Sequence, residues 1–439
     1  MNKLGLAEAT AAIRGGRKSS TEIVGDCLKQ IDAREGQVQA WAHLDRDHAL
    51  RQAEAADRRQ AAGQPLGPLH GVPIGVKDLY DTTDFPTEYG SALWEGYRPQ
   101  RDATVVTRLR QAGAVILGKT VSTEYAYYQP NKTRNPHNPA HTPGGSSSGS
   151  AAAVAAGMVP AALGSQTNGS VIRPAAFCGV VGYKPTHGTI PRTGAMLLSR
   201  ILDTVGVMTQ TVADAALLVE LLAGPDGQDS DARAAPSGLA AAATAPLPQA
   251  LRLAFVRTPA WKYIEPEAEK AFLALAQRLG ATEKPLGSNF ESAIERHGVV
   301  MAVDMATNFL KDYERGRDKL SPALCQQLER GRQVPASVYR SAIEARETLY
   351  AELDPLFDAY DAILTPSAPG SAPVAATTGN PAFCSLWTYL GTPAITLPLL
   401  QARNGLPIGV QLVGRRGDDT CLLQVAHSLE TQALSTRRA

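Results

Sequence analysis

The chain has 439 residues, of which 44% are hydrophobic and 19% charged, and its 43 basic and 42 acidic side chains leave a formal net charge of +1. This composition predicts a soluble globular protein with a large core and excludes an intrinsically disordered one. Because no basic stripe or acidic tail stands out, the sequence gives no electrostatic support for binding to nucleic acid or to a membrane surface.

The five cysteines are scattered and show no Cys-x-x-Cys spacing. This pattern favours free, mostly buried thiols in a reducing compartment over a disulfide framework. The N-terminal segment lacks an apolar leader, and no run of 18 apolar residues occurs in the chain. We therefore expect a cytoplasmic protein.

The predicted elements start with helices over residues 1–60, where apolar residues recur at helical spacing. Strand-like runs such as VPIGV and AVILGK alternate with helix-like segments over residues 61–223. Residues 224–250 have the composition of an exposed connector, residues 265–358 are predicted to form a helical insertion, and residues 360–432 add strands and a terminal helix. This alternation predicts one large α/β domain.

Residues 143–174 are the most informative stretch, because nearly all of them are small. Small residues are needed where backbones approach closely or where amides face a ligand. Pro174 fits only the first turn of a helix, so a helix is predicted to begin just after Ser170. The amides of residues 167–170 would then form an oxyanion site with Ser170 as a nucleophile, unless Ser170 is only a helix cap.

Two further features of the sequence bear on this chemistry. Lys77 ends an apolar run, which predicts that it is buried, and a buried lysine can act as a base near neutral pH. The stretch around Ser147 also fits the G-x-S-x-G pattern of a hydrolase nucleophile elbow. We reject the elbow because it requires a strand directly before the serine, and NPHNPAHTP does not have the pattern of a strand.

Together these segments resemble the amidase signature family over roughly residues 5–430. The match rests on HGVPIGVKD, TRNPHNPAHTPGGSSSGSAAAVAAG, GSQTNGSVIRPAAFCGVVGYKPTHG, LDTVGVMTQTVADAA, SLWTYLGTPAITLP and GLPIGVQLVG. The resemblance implies a mixed, twisted β-sheet covered by helices on both faces, with no metal and no organic cofactor. A homodimer is an expectation from the resemblance alone.

The same resemblance implies a role for each matching residue. Ser170 is the acyl-enzyme nucleophile, Ser146 relays its proton and follows a cis peptide bond, and Lys77 is the base. The backbone amides of four consecutive residues form the oxyanion hole, namely Thr167, Asn168, Gly169 and Ser170. Lysine acting through a serine can both remove a proton and return it to an amide nitrogen, so no histidine is required. His70, His137, His141 and His187 are interpreted as structural.

The expectations for substrate binding leave alternatives open. Members that resemble malonamidase use arginines at the positions of Arg173 and Arg192 to hold a substrate carboxylate, and a bidentate arginine suits that task. An internal salt bridge, to Asp203 or another carboxylate, is the alternative for both. Tyr125, together with Tyr127 and Tyr128, would line the pocket or simply pack.

One residue departs from the commonest family pattern. Many members have glycine where this chain has Asn168. Asparagine tolerates left-handed backbone angles better than other non-glycine residues, so the turn can still form. The side chain would narrow the acyl pocket, and this leaves the size of the substrate open.

The leading functional hypothesis is an amidase that converts a small carboxamide to an acid and ammonia. The first alternative is the glutaminase component of a tRNA-dependent amidotransferase, which resembles the chain over the same motifs. Such components usually have GGSIRQPA and GRVSRYG, whereas this chain has NGSVIRPA and GTIPRTG. Esters and hydrazides remain alternative substrates for the same two serines and lysine. A non-catalytic scaffold is disfavoured because both serines and the lysine are present.

Overall fold

The computed structural model describes residues 4–234, 238–247 and 249–438, with side chains up to residue 435. The strands in this part of the chain are β1 (Trp41–Leu44), β2 (Pro73–Lys77), β3 (Val115–Thr120), β4 (Ala161–Gln166), β5 (Val181–Lys184), β6 (Thr204–Thr209), β7 (Leu253–Val256), β8 (Thr282–Lys284), β9 (Ala362–Pro366), β10 (Ala394–Gln401) and β11 (Pro407–Val413).

These strands form one mixed sheet in the order β1-β3-β2-β4-β6-β5-β10-β11-β9-β7-β8. The pairs β3–β2, β2–β4, β9–β7 and β7–β8 are parallel, and the other neighbours are antiparallel. Strands from both halves of the chain share this sheet. The prediction of a single α/β domain with a mixed sheet is confirmed.

The helices are α1 (Leu6–Arg14), α2 (Ser20–Val38), α3 (Arg46–Ala61), α4 (Thr104–Gln111), α5 (Ser148–Ala155), α6 (Ile172–Cys178), α7 (Val212–Leu222), α8 (Leu239–Ala243), α9 (Pro266–Arg278), α10 (Ala293–Asn308), α11 (Leu310–Gly316), α12 (Pro322–Gln333), α13 (Ala336–Leu353), α14 (Leu356–Ala359), α15 (Ala382–Tyr389) and α16 (Asp419–Arg438). None of the described helices combines the length and apolar character needed to cross a bilayer.

Alternate side chains of each strand point to opposite faces of the sheet, and both faces are buried. Ala161 and Leu163 of β4 pack in a core with α1, α4, α7 and α16. Ala162, between them, packs on the other face with α2 and α5. Toward the β9 edge, Ile363 packs on that second face with α10, α12 and α15. Helices therefore cover both faces, as the resemblance implies.

Three predicted segments differ in detail from the structure. Residues 1–60 are predicted to be helical but include β1, and the predicted helical insertion at 265–358 includes β8. Both are short strands at the sheet edges. The connector at 224–250 contains α8, and its first part is bound to the core through carboxylates such as Asp226, which accepts from Thr104 Oγ1 at 2.7 Å. Its residues 235–237 and 248 lie outside the described part of the chain.

Candidate active site

The site is built where two parallel strands end. Lys77 is the last residue of β2, and Ser165 lies one residue from the end of the neighbouring strand β4. The carboxyl ends of parallel strands meet at the same edge of a sheet, so the two side chains converge. The Lys77 amino group donates to Ser165 Oγ at 2.8 Å and to Ser146 Oγ at 2.7 Å. The predicted lysine–serine contact is therefore present.

The serine-rich loop before α5 supplies Ser146, and the serines that follow it at the start of α5 have different partners. Ser147, Ser148 and Ser150 each donate to a backbone carbonyl in or next to β3 and β4, at distances of 2.7 to 3.3 Å. Their hydroxyls bind the start of α5 to the sheet. Ser146 instead faces the lysine, and the peptide bond before it, from Gly145, is cis. Among these four serines, Ser146 alone binds an ionisable side chain.

Burial brings the pKa of Lys77 close to neutral pH. Burial lowers the pKa of Lys77 from its ordinary 10.5 to about 7, and the nearby Asp203 carboxylate opposes this shift. Asp203 is itself buried, which raises its pKa to about 6, although hydrogen bonds from Thr167 Oγ1 at 2.6 Å and from two backbone amides favour its ionised form. A lysine in this setting can supply a neutral amine near pH 7.

The residues that follow β4 form a nest of free amides. Gln166 Oε1 accepts the amides of Val171 and Ile172 at 2.9 and 3.0 Å, which fixes the start of α6. Within the described residues, the amides of residues 167–170 donate no hydrogen bond. The predicted helix start just after Ser170 is correct, since α6 begins at Ile172. Ser170 packs against the serine-rich loop, because its carbonyl accepts from Ser147 N at 3.4 Å.

Side chains from distant helices fix this nest, and sequence reasoning missed them because no local signal marks them. His297 of α10 binds the Thr167 carbonyl at 2.8 Å through Nε2. Since a carbonyl only accepts, Nε2 carries the proton, and burial lowers the pKa of His297 to about 4, so the ring is neutral. Thr388 of α15 donates to the Asn168 carbonyl at 2.5 Å.

Asn168 is held by its side chain as well as by its backbone. Its Nδ2 donates to the Tyr128 hydroxyl at 2.8 Å, and its Oδ1 accepts from Ser385 Oγ at 2.6 Å. The asparagine thereby bridges a loop and α15 directly beside the nest. A glycine at this position would make neither bond.

A pocket of about 330 Å³ opens next to this bridge. Tyr127, Tyr128 and Asn168 line it, together with residues of α10, α12 and α15. Tyr125 does not line it. Its ring is buried against Phe309, and its hydroxyl donates to a carboxylate of α11 at 2.8 Å. The expectation of Tyr125 as a substrate-binding residue is corrected to a packing role, because its hydroxyl is already paired.

Arg173 is buried next to the nest without a carboxylate partner among the described residues. Its Nε donates to the Thr378 carbonyl at 2.7 Å and its Nη2 to the Gly145 carbonyl at 2.8 Å. Its Nη1 has no hydrogen-bond partner in the described part of the chain, and a Cβ placed on Gly169 would lie 3.1 Å from it. Burial lowers the pKa of this guanidinium. The Nη1 donor is therefore buried and without a partner within the described part of the chain.

Arg192 forms internal salt bridges, as the alternative to substrate binding predicted. The partners are Asp229 and Asp231 rather than the side chain of Asp203. Its Nε and Nη2 each bind Asp229 at 2.8 Å, and Nη2 also binds Asp231 at 2.6 Å. Its Nη1 donates to the carbonyls of Arg200 and Asp203 at 2.5 and 3.3 Å. The expectation of Arg192 as a substrate ligand is corrected, because its donors are already engaged within the protein.

The other candidate groups have structural explanations. The four histidines interpreted as structural each bind a backbone carbonyl. Burial also lowers the pKa of Lys184 to about 7, but its amino group is bound to two carbonyls rather than to a hydroxyl. His43, Asp78 and Glu88 have ligand atoms within 4.8 Å of one another. Lys119 lies 3.1 Å from Asp78 and supplies the positive charge there.

Known proteins resemble the chain over nearly its whole length. The family model described as Amidase matches residues 22–423. Among curated proteins, the A component of the glutamyl-tRNA(Gln) amidotransferase of Chloroflexus aggregans is 33% identical, over 98% of this chain and 96% of that protein. The similarity thus extends well beyond the serine-rich segment.

Two solved structures share the fold over nearly their whole length. One belongs to a vestigial protein complex that reveals the evolutionary origins of an s-triazine catabolic enzyme; it has a TM-score of 0.92 and 29% identity, over 98% of each chain. The other is the peptide amidase of Stenotrophomonas maltophilia, with a TM-score of 0.85 and 28% identity, over 99% of this chain and 97% of that one.

Proposed function

This chain belongs to the amidase family, and we propose that it hydrolyses the C–N bond of a small carboxamide to a carboxylic acid and ammonia. The proposed catalytic residues are Ser170 as nucleophile, Ser146 as proton relay and Lys77 as base. The observation that carries this proposal is the buried Lys77 amine, 2.7 Å from Ser146 Oγ, in a loop whose next amide, Ser147 N, donates to the Ser170 carbonyl at 3.4 Å.

Acylation begins with two proton transfers. The neutral Lys77 amine accepts the proton of Ser146 Oγ, and Ser146 takes the proton of Ser170. Ser170 Oγ then attacks the amide carbon, and the carbonyl oxygen becomes an oxyanion. Amides of residues 167–170 donate to that oxyanion, and removal of a donor of this kind in other enzymes costs about 10²–10³ in kcat.

Collapse of the intermediate returns the proton. The ammonium of Lys77 passes it through Ser146 to the amide nitrogen, the C–N bond breaks, and ammonia leaves. Water then attacks the acyl-enzyme carbon, and its proton passes through Ser146 to Lys77. The bond to Ser170 Oγ breaks, the acid is released, and the proton returns through Ser146 to Ser170 Oγ. The same acyl-enzyme would serve an ester or a hydrazide.

We propose that the substrate carries a carboxylate close to the amide. A buried guanidinium without a counter-charge is costly, and an incoming carboxylate would offset that cost. Arg173 Nη1 is such a group, and it lies next to Gly169 of the nest. Arg192 takes no part in this proposal, because it is paired with Asp229 and Asp231.

The Arg173→Gln variant tests this clamp. We expect the ratio of kcat/KM for malonamate to that for propionamide to fall at least about tenfold, since a charge-assisted bond is lost for one substrate only. The loss of the bonds to Gly145 and Thr378 affects both substrates alike, so the ratio isolates the clamp. An unchanged ratio would assign Arg173 a purely structural role.

The Asn168→Gly variant tests the narrowing of the pocket. We expect it to raise the rate on longer aliphatic amides relative to shorter ones, because the Asn168 side chain no longer narrows the pocket. We also expect kcat on the shortest aliphatic amide to fall about tenfold, because the bonds to Tyr128 and Ser385 are lost. Ser385→Ala is the matched control, since it breaks one of these bonds and keeps the bulk of Asn168. An identical chain-length profile for all three proteins would contradict the prediction.

The relationship to the A component of an amidotransferase favours a second candidate function. In that case the chain would release ammonia from glutamine only as part of a complex. Against it, Arg173 stands one residue later than the arginine of the usual GGSIRQPA sequence, and GTIPRTG differs from GRVSRYG.

The experiment that separates the candidates is ammonia release by the purified full chain alone. The panel contains malonamate, glutamine, aliphatic amides and aryl amides. Multiple turnovers on an amide other than glutamine would support a free-standing amidase. Absence of turnover on every member of the panel would favour a protein that acts only with a partner.

A further inference from the structure

A second cavity, of about 620 Å³, shares no lining residue with the pocket beside Asn168. The loop after β5, the start of the 224–250 segment, and helices α10 and α13 surround it. Three arginines line it, namely Arg200, Arg233 and Arg346. Its size is that of a small-molecule site.

The two carboxylates in the lining are already bound. Asp231 accepts from Arg200 Nε at 2.8 Å and from Arg192 Nη2 at 2.6 Å. Asp304 accepts from the hydroxyls of Tyr339 and Ser199, and burial raises its pKa. Neither carboxylate forms an ion pair with Arg233 or Arg346.

Among the described residues, the two terminal nitrogens of Arg346 and the side chain of Arg233 make no hydrogen bond. The Arg346 side chain is only 14% exposed, its Nε donates to the Tyr389 carbonyl at 2.6 Å, and its nearest carboxylate, Glu347, is 4.0 Å away. That carboxylate is bound by Arg416 at 2.7 Å. Arg233 forms no ion pair among the described residues. Against the opposing effect of burial, it acts together with Arg416 and Arg346 to lower the pKa of Glu347. Burial, Arg416 and Arg233 together lower the pKa of Arg346 to about 10, although Glu347 opposes this.

The geometry points to a binding site for a small dianion, carrying a phosphate or two carboxylates, between Arg233 and Arg346. An anion there would offset the repulsion of two neighbouring guanidinium groups, and guanidinium groups bind both kinds of anion in a bidentate manner. Arg346 Nη2 lies close to the backbone of Gly391, just after α15, since a Cβ placed on this glycine would be only 2.5 Å away. The same Cβ would be 3.3 Å from the His187 side chain. The site therefore adjoins the end of α15. It is independent of the proposed amidase activity.

The test is equilibrium binding of inorganic phosphate and of succinate to the full chain, by calorimetry at constant ionic strength. We expect saturable binding of at least one of them with Kd below about 1 mM, weakened at least tenfold in Arg233→Gln and further in Arg233→Glu. Arg233 is exposed, so these variants are expected to fold. Arg346→Lys is a second variant that keeps the charge while losing the planar fork, and it should also weaken binding.

Arg403→Gln is the control, because it removes an exposed arginine from the turn between β10 and β11. It should leave Kd unchanged. Three results would overturn the proposal: a Kd above about 1 mM for both anions, equal weakening in Arg403→Gln and Arg233→Gln, or binding that is insensitive to Arg233 and lost in Arg173→Gln. The last would place the anion at Arg173, beside the amide nest.

Discussion

Replacement of Ser170 by alanine is expected to lower kcat/KM by at least about 10³-fold, because the proposed acyl-enzyme forms on the Ser170 hydroxyl. The amide nest and the pocket do not depend on this side chain, so substrate binding should persist. Ammonia release gives the rate, and the dissociation constant of an unreactive substrate analogue gives the binding. Loss of both together would indicate a folding defect.

Ser148→Ala is the matched control for this experiment. Ser148 is a buried serine of the same signature, and its hydroxyl is bound to the Val121 carbonyl at 3.2 Å. Its loss should cost some stability, on the order of 1 kcal/mol, and leave the chemistry in place. Activity retained in Ser170→Ala, or abolished equally in Ser148→Ala, would refute the assignment of Ser170 as nucleophile.

Much of the candidate site follows from short-range features of the sequence. The apolar run before Lys77 predicts a buried strand end, and Pro174 predicts the start of α6 close after Ser170. Both are found, because burial of a short strand and the missing amide of proline act locally. The family resemblance adds the contact between Lys77 and Ser146, which lie 69 positions apart.

The parts that could not be predicted depend on long-range packing. His297 and Ser385 reach the nest from 130 and 217 positions away along the chain, and nothing in their local sequence distinguishes them from other helix residues. For Arg192 the sequence leaves two alternatives. Its partners come from the segment whose composition predicts an exposed connector, and only the folded chain brings Asp229 and Asp231 to it.

Replacement of Lys77 by methionine is expected to lower kcat/KM about as much as Ser170→Ala does. The pH dependence of the unmodified protein should show that the neutral amine is required. Only the neutral amine can accept the Ser146 proton, so kcat/KM should fall about tenfold per pH unit below about 7 and level off above it. Lys77→Arg should be inactive at every pH, because the guanidinium stays charged. A parent profile that is flat between about pH 5 and 8 would contradict the role of Lys77 as base.

The same lysine should leave a signature in stability that does not depend on catalysis. Its pKa is lower in the folded than in the unfolded chain, so between about pH 7 and its ordinary 10.5 the unfolded chain binds more protons. The cost of burying this lysine is thus fully present below about pH 7 and is relieved as the pH rises through that window. Denaturant unfolding at about pH 6.5 and about pH 9 should show the parent gaining stability relative to Lys77→Met. An equal change in both proteins would mean that Lys77 is not held neutral by burial, and the base would have to be sought elsewhere.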